Sequence, residues 1–176
     1  MANDPVGSGF VASLAQPGGN VTGLSNQSPD LAGKRLDILR EVVPGLRRLA
    51  VMGNSSLPAI VLEIREVETL ARSLGVDAVG VEIRRVQDIA PAVEALKDRA
   101  DALYVASDPL VVGNKIRINT FALAALLPTM STIRDQIEAG GLMSYGSWHN
   151  RVISLRFGIW SLSIECPHGL STGSTR

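Results

Sequence analysis

One stretch restricts the possible folds more than any other. Leu49-Ala50-Val51-Met52 is followed by Gly53-Asn54-Ser55-Ser56 and then by residues 57–74. A short apolar run closed by Gly, Asn and Ser suits a parallel strand buried on both faces. Ser56 is placed to cap a helix, and Pro58 is tolerated in a first turn, where no backbone N–H bond is lost. Ile60, Ile64, Val67, Ala71 and Leu74 then fall on one helical face, and Gly75 supplies a C-terminal stop. The unit is strand, polar turn, amphipathic helix.

The same logic recurs along the chain. Asp30 is placed to cap a helix whose stripe is Ala32, Leu36, Leu39 and Val43, ended by Pro44-Gly45. Val79, Val81 and Ile83 alternate with Gly80 and Glu82, as in a strand near a sheet edge with one wetter face. Asp88 is placed to cap a helix with Ile89, Val93, Leu96 and Ala100 inward. Residues 102–106 form a third apolar strand. Ser107-Asp108-Pro109 leads into one long helix over residues 111–126. Pro128-Thr129-Met130 opens a fourth strand, and residues 133–139 form a short helix broken by Gly140-Gly141. Residues 142–145 make a last strand. Strands alternating with helices of this length imply right-handed crossovers and a parallel sheet, so the expected class is doubly wound α/β.

The ends differ from this body. Pro17-Gly18-Gly19-Asn20 is a strong turn before a short strand at residues 21–24, and residues 1–23 carry too little apolar surface to fold alone. From Ser147 the composition shifts. Both Trp (Trp148, Trp160), both His (His149, His168) and the single Cys166 lie there, with weak strand or helix character over 152–164. Residues 169–176, mostly Ser, Thr and Gly, read as disordered.

Composition removes several function classes. With 17 Lys plus Arg against 17 Asp plus Glu among 176 residues, no basic excess favours nucleic acid. One cysteine excludes an internal disulfide framework, and Cys166-Pro167-His168 supplies too few ligands for a metal site. No G-x-G-x-x-G, Walker or G-x-S-x-G pattern is present, so no nucleotide cofactor or serine nucleophile is expected. No run reaches the roughly 20 apolar residues of a membrane span, and the N-terminus does not read as a signal peptide.

Doubly wound sheets bind ligands outside the carboxyl ends of their strands. Two such ends carry polar clusters. At Asn54-Ser55-Ser56, free N–H groups and a helix dipole would favour an anion such as an amino-acid carboxylate. At Ser107-Asp108-Pro109, a carboxylate could hold an ammonium or a hydroxyl. Each cluster has a plainer reading as helix initiation. Asp4 and Asn26 are weaker candidates. Tyr104, in mid-strand, is read as core, while Tyr145, near a strand end, is a candidate cleft residue.

Asn3-Asp4-Pro5-Val6, Ser13-Leu14 and Pro17-Gly18-Gly19-Asn20-Val21-Thr22-Gly23 resemble the ABC-transporter substrate-binding proteins of the tryptophan/tyrosine type. So do Lys34-Arg35-Leu36, Asp101-Ala102-Leu103-Tyr104-Val105 and Gly140-Gly141-Leu142-Met143-Ser144-Tyr145-Gly146. The resemblance implies a type I periplasmic-binding-protein fold, in which two α/β lobes close on a small solute. It makes residues 1–28 the remnant of a first lobe and crossover, residues 29–135 the second lobe, and residues 136–176 a return crossover with an atypical tail. Asp4, Asn26, Asn54, Ser55 and Asp108 would then border the cleft. It also implies a periplasmic location, a membrane ABC permease as partner, and no enzymatic activity. With one lobe nearly whole, the chain is expected to bind solute weakly or not at all. A ligand-sensing effector domain predicts an attached DNA-binding or membrane segment. A small Rossmann-type enzyme predicts a glycine phosphate loop or a catalytic Ser/Tyr/Lys set. The sequence displays none of these.

Overall fold

A computed structural model describes residues 31–146 in full, residue 12 singly, and the backbone of residues 152–157 and 160–165. The chain runs α1 (Ala32–Val42), β1 (Arg48–Asn54), α2 (Pro58–Ser73), β2 (Asp77–Ile83), α3 (Val86–Glu94), β3 (Ala102–Val105), α4 (Pro109–Gly113), α5 (Lys115–Ala124), β4 (Thr129–Ser131), α6 (Asp135–Glu138) and β5 (Met143–Ser144). Then come β6 (Val152–Phe157) and β7 (Trp160–Glu165). The sheet order is β2-β1-β3-β4-β5-β6-β7. The first five strands pair in parallel, and β6 and β7 add antiparallel pairs beyond β5. The expected doubly wound α/β fold is therefore present, but residues 142–145 are not its last strand.

Successive residues of β1 point to opposite faces, so each face gathers its own core. Leu49, Val51, Tyr104, Met130 and Met143 pack under Leu36 and Leu39 of α1 and Ile60, Ile64 and Val67 of α2. Ala50, Met52, Leu103 and Val105 pack under Ile89 and Val93 of α3, Val111 of α4, and Ile118 and Ala122 of α5. Ile89, Val93, Leu96 and Ala100 are buried as expected, but α3 ends at Glu94, so Leu96 and Ala100 pack from the turn beyond it. Strand β2 does lie at a sheet edge, but its apolar side is not uniformly covered: Val79 is 58% exposed while Ile83 is buried.

Several helix ends differ from the sequence reading. Ser56 does not cap α2; the cap position is Leu57, and Pro58 opens the helix. The Ser56 N–H instead bonds the Asn54 side-chain oxygen at 3.0 Å, closing a polar turn ahead of the helix. Leu31 holds the cap position of α1 and makes no side-chain cap bond, and Asp30 lies outside the described residues. Asp88 acts from inside the first turn of α3. Its Oδ2 accepts the N–H groups of Arg84 and Arg85 at 3.0 and 2.9 Å. Those bonds, with Arg84 the leading donor, hold its carboxyl below the usual range.

The long helix expected over 111–126 is two helices broken at Asn114 (φ −117°, ψ 19°). Gly113 and Asn114 are poor helix formers, and the Asn114 amide turns back to the Leu110 carbonyl at 2.8 Å. Helix α6 is shorter than the seven residues read for it, spanning Asp135–Glu138. Gly75 performs as read, adopting φ 74° beyond α2, where a β-carbon would be strained. No helix among the described residues is long and apolar enough to cross a membrane.

Candidate functional site

Strands β1 and β3 are neighbours in parallel register, with Met52 opposite Val105. Their carboxyl ends therefore open on the same edge, and the two polar clusters meet there. The Asn54 N–H donates to Asp108 Oδ2 at 3.1 Å. Asp108 is only 4% exposed. Its Oδ1 accepts the N–H groups of Leu110 and Val111 at 2.8 and 3.0 Å, capping α4. Both carboxylate oxygens are thus engaged by backbone donors. Asp108 ties the end of β1 to the start of α4.

The backbone N–H groups proposed to cradle an anion are also engaged. Ser55 N–H bonds the Ile83 carbonyl at 3.1 Å, and Leu57 N–H bonds the Asn54 carbonyl at 3.1 Å. With Asn54 and Ser56 N–H already bonded and Pro58 lacking one, the turn offers side chains rather than amides. This corrects the expectation of free N–H groups at that turn. The Ser55 hydroxyl accepts from Arg84 Nε at 3.0 Å. Arg84 directly follows the last residue of β2, and its side chain is 68% exposed, 3.8 Å from Glu82. The carboxyl end of β2 therefore presents Arg84 and that of β1 presents Asn54 and Ser55 along one rim, with Asp108, from the end of β3, buried beneath. Arg84 is the rim residue that sequence reasoning passed over. The rule that pointed to the ends of β1 and β3 applies equally to the end of β2.

The same edge continues at β4 and β5. Thr132 follows β4 and is buried, and its hydroxyl has no partner among the described residues. Tyr145 follows β5. It is buried rather than lining open space, and its N–H bonds the Ser131 carbonyl at 3.0 Å. Asp4 and Asn26 lie outside the described residues.

A second polar group lies deeper, beneath α1 and α2. Arg35, in the first turn of α1, is 1% exposed. Its Nε donates to the Tyr145 carbonyl at 2.7 Å, and its NH1 donates to the Tyr104 hydroxyl at 3.0 Å. That hydroxyl donates to Glu63 Oε1 at 3.2 Å. Tyr104 is core, as read, but it carries a polar handle into this network. Burial raises the Glu63 carboxyl above its usual range, against the pull of Arg35 and the Tyr104 hydrogen bond; Glu66 and Asp108 add to the rise. Burial likewise pushes the Tyr104 phenol upward, so it remains a neutral donor. Among the described residues no cluster of three His, Cys, Asp or Glu side chains is placed to hold a metal ion.

The comparisons with known proteins agree with this architecture. A family model described as "ABC transporter substrate binding protein" matches residues 1–151. A tyrosine-binding protein of Clostridioides difficile is 26% identical over 170 residues, 97% of this chain and 48% of that relative. A conserved domain protein from Vibrio cholerae superposes with a TM-score of 0.73 at 27% identity, over 82% of this chain and 48% of that one. A ligand-free, open substrate-binding protein with adhesive properties from Clostridium difficile gives 0.69 at 28%, with the same coverage. A Streptococcus pneumonia domain solved in complex with L-Trp gives 0.73 at 23%, again with that coverage, which is a likeness of fold. The chain thus spans about half the length of these relatives. With a matched region that takes in the parallel sheet and its polar rim, the chain belongs to the ABC transporter substrate-binding protein family.

Proposed function

We propose that the rim formed by Arg84, Ser55 and Asn54 is one wall of a solute site, and that the solute is an amino acid. The observation that carries this is the convergence of three strand ends on one polar edge, where ligands of doubly wound sheets bind. The Arg84 guanidinium offers a planar pair of donors to a carboxylate, with the Ser55 hydroxyl beside it. Asp108 shapes the wall and holds the Asn54 backbone in place; its oxygens are already spent on N–H donors. An amino acid is favoured because the Clostridioides difficile relative is a tyrosine-binding protein and the Streptococcus pneumonia domain was solved with L-Trp.

In this reading the first lobe supplies the opposite wall, to which Asp4 is assigned, with Asn26 beside the crossover. Closure about the crossovers traps the solute. The loaded protein then delivers it to an ABC permease from the outer, periplasmic side of the membrane. The protein performs no chemistry on the solute.

Saturation-transfer NMR with L-tyrosine and L-tryptophan tests the wall. Weak, millimolar binding is expected, and Ser55→Asp, which sets a negative charge beside the carboxylate, should abolish it. Absence of transfer from both amino acids, or transfer unchanged by Ser55→Asp, would overturn the assignment.

A further inference from the structure

We propose that Arg35 is a positioning residue that clamps the point where the chain leaves the parallel sheet, at Tyr145 and Gly146, to the helix by which it enters. Helix α1 is the first described element, and Tyr145 follows the fifth parallel strand, so a contact separated by 110 positions joins entry to exit. Three constraints converge at the exit. The Tyr145 N–H is held by the Ser131 carbonyl, and its own carbonyl is held by Arg35. Gly146 lies so close to the Thr132 carbonyl that a β-carbon would clash with it. The direction in which the chain departs is therefore fixed from both sides.

The cost of this arrangement argues for a positional role. A cation in the first turn of a helix opposes the helix dipole, and a fully buried guanidinium loses its hydration. Apolar neighbours surround it on α1: Ala32, Leu36, Ile38 and Leu39 are all buried. Replacing the whole Arg35–Tyr104–Glu63 network by well-packed apolar side chains would stabilise the core at least as well. What an apolar side chain cannot do is hold a carbonyl and a phenol at fixed angles. The guanidinium fork does so with Nε and NH1 together, and Tyr104 passes the restraint to Glu63 on α2.

The functional meaning rests on the solute-binding reading. There, the segment before α1 is a crossover from the first lobe, and Arg35 ties the root of that crossover to the end of the fifth parallel strand.

Amide hydrogen exchange on the 176-residue chain tests the clamp without any ligand. Arg35→Lys keeps the charge but not the fork. It should speed exchange at the Tyr145 amide about tenfold, the effect of one lost charge-assisted hydrogen bond, with Val51 and Met52 in β1 unchanged. Tyr104→Phe keeps the Arg35–Tyr145 bond and frees only the other arm. It should speed the same amide by a smaller factor, and it decides the matter if Arg35→Lys does not fold. Equal acceleration across all strands would show a merely structural role, and no change at Tyr145 would show no clamp; either overturns the proposal. A clamped chain that binds neither L-tyrosine nor L-tryptophan would sink the solute reading alone.

Discussion

The two faces of the sheet are built from the same strands but on different principles. Under α3, α4 and α5, Ala50, Met52, Leu103 and Val105 meet an apolar layer. Under α1 and α2, the layer contains Arg35 bonded to Tyr104, and Tyr104 bonded to Glu63. The apolar face is non-directional: any side chains of the right volume hold it together. The charged face is directional and costs desolvation, so it gives up stability for defined geometry. The difference teaches where the fold needs precision, and that place is the exit at Tyr145, on the same sheet edge as the Asn54–Asp108 contact.

Substitutions that treat the two faces alike should break them unequally. Arg35→Met fills a similar volume but leaves the Tyr145 carbonyl and the Glu63 carboxylate without the cation. Losing one partner of a buried ionic network costs about 3–5 kcal/mol, read as a drop in denaturation midpoint. Asp108→Ala removes a helix cap and a charge-assisted bond to the Asn54 N–H, and should cost about 2–3 kcal/mol in the same assay. Met52→Leu on the apolar face, fully buried like Arg35, should cost less than about 1.5 kcal/mol. Equal losses for Arg35→Met and Met52→Leu would erase the contrast.

Acidity gives a finer separation. Glu63 has a raised folded-state pKa, so its contribution to stability is present below the ordinary carboxylate range and is lost as pH rises through the raised value. Asp101 runs the other way. Its side-chain bond to Arg48 at 2.7 Å, against some desolvation, holds it below its usual range, so its contribution is present above that range and is lost in acid. Glu63→Gln should therefore gain on the native chain as pH rises from the carboxylate range towards neutral. Denaturation midpoints that stay parallel across that range would count against a buried, ionising Glu63.

Much of this was legible in one dimension. Periodicity located the strand–turn–helix unit, because Ile60, Ile64, Val67 and Ala71 recur at helical spacing and are all buried. It also found the strand that lies at the edge; that Asn54 and Asp108 border one groove is what the resemblance implies, and their contact follows from two neighbouring parallel strands ending together. Arg35 was visible only as part of a family-like Lys34-Arg35-Leu36 string. A charge beside an apolar stripe reads as solvent-facing, and its partners at positions 63, 104 and 145 are brought to it by the fold alone. The break at Asn114 was masked by the apolar residues on both sides of it. Arg84 is hidden in the sequence because a cation beside Glu82 reads as a solvated charge pair, and only the fold brings it to the Ser55 hydroxyl.

The central claim is that the carboxyl ends of β1, β2 and β3 form a solute-facing wall. Chemical-shift mapping of the 15N-labelled chain titrated with L-tyrosine tests it most directly. The account predicts that the amides of Asn54, Ser55 and Arg84 shift first and saturate together, while the opposite ends of the strands, at Arg48 and Asp101, stay still. Shifts centred on Arg48 and Asp101, or none at the rim, would contradict it.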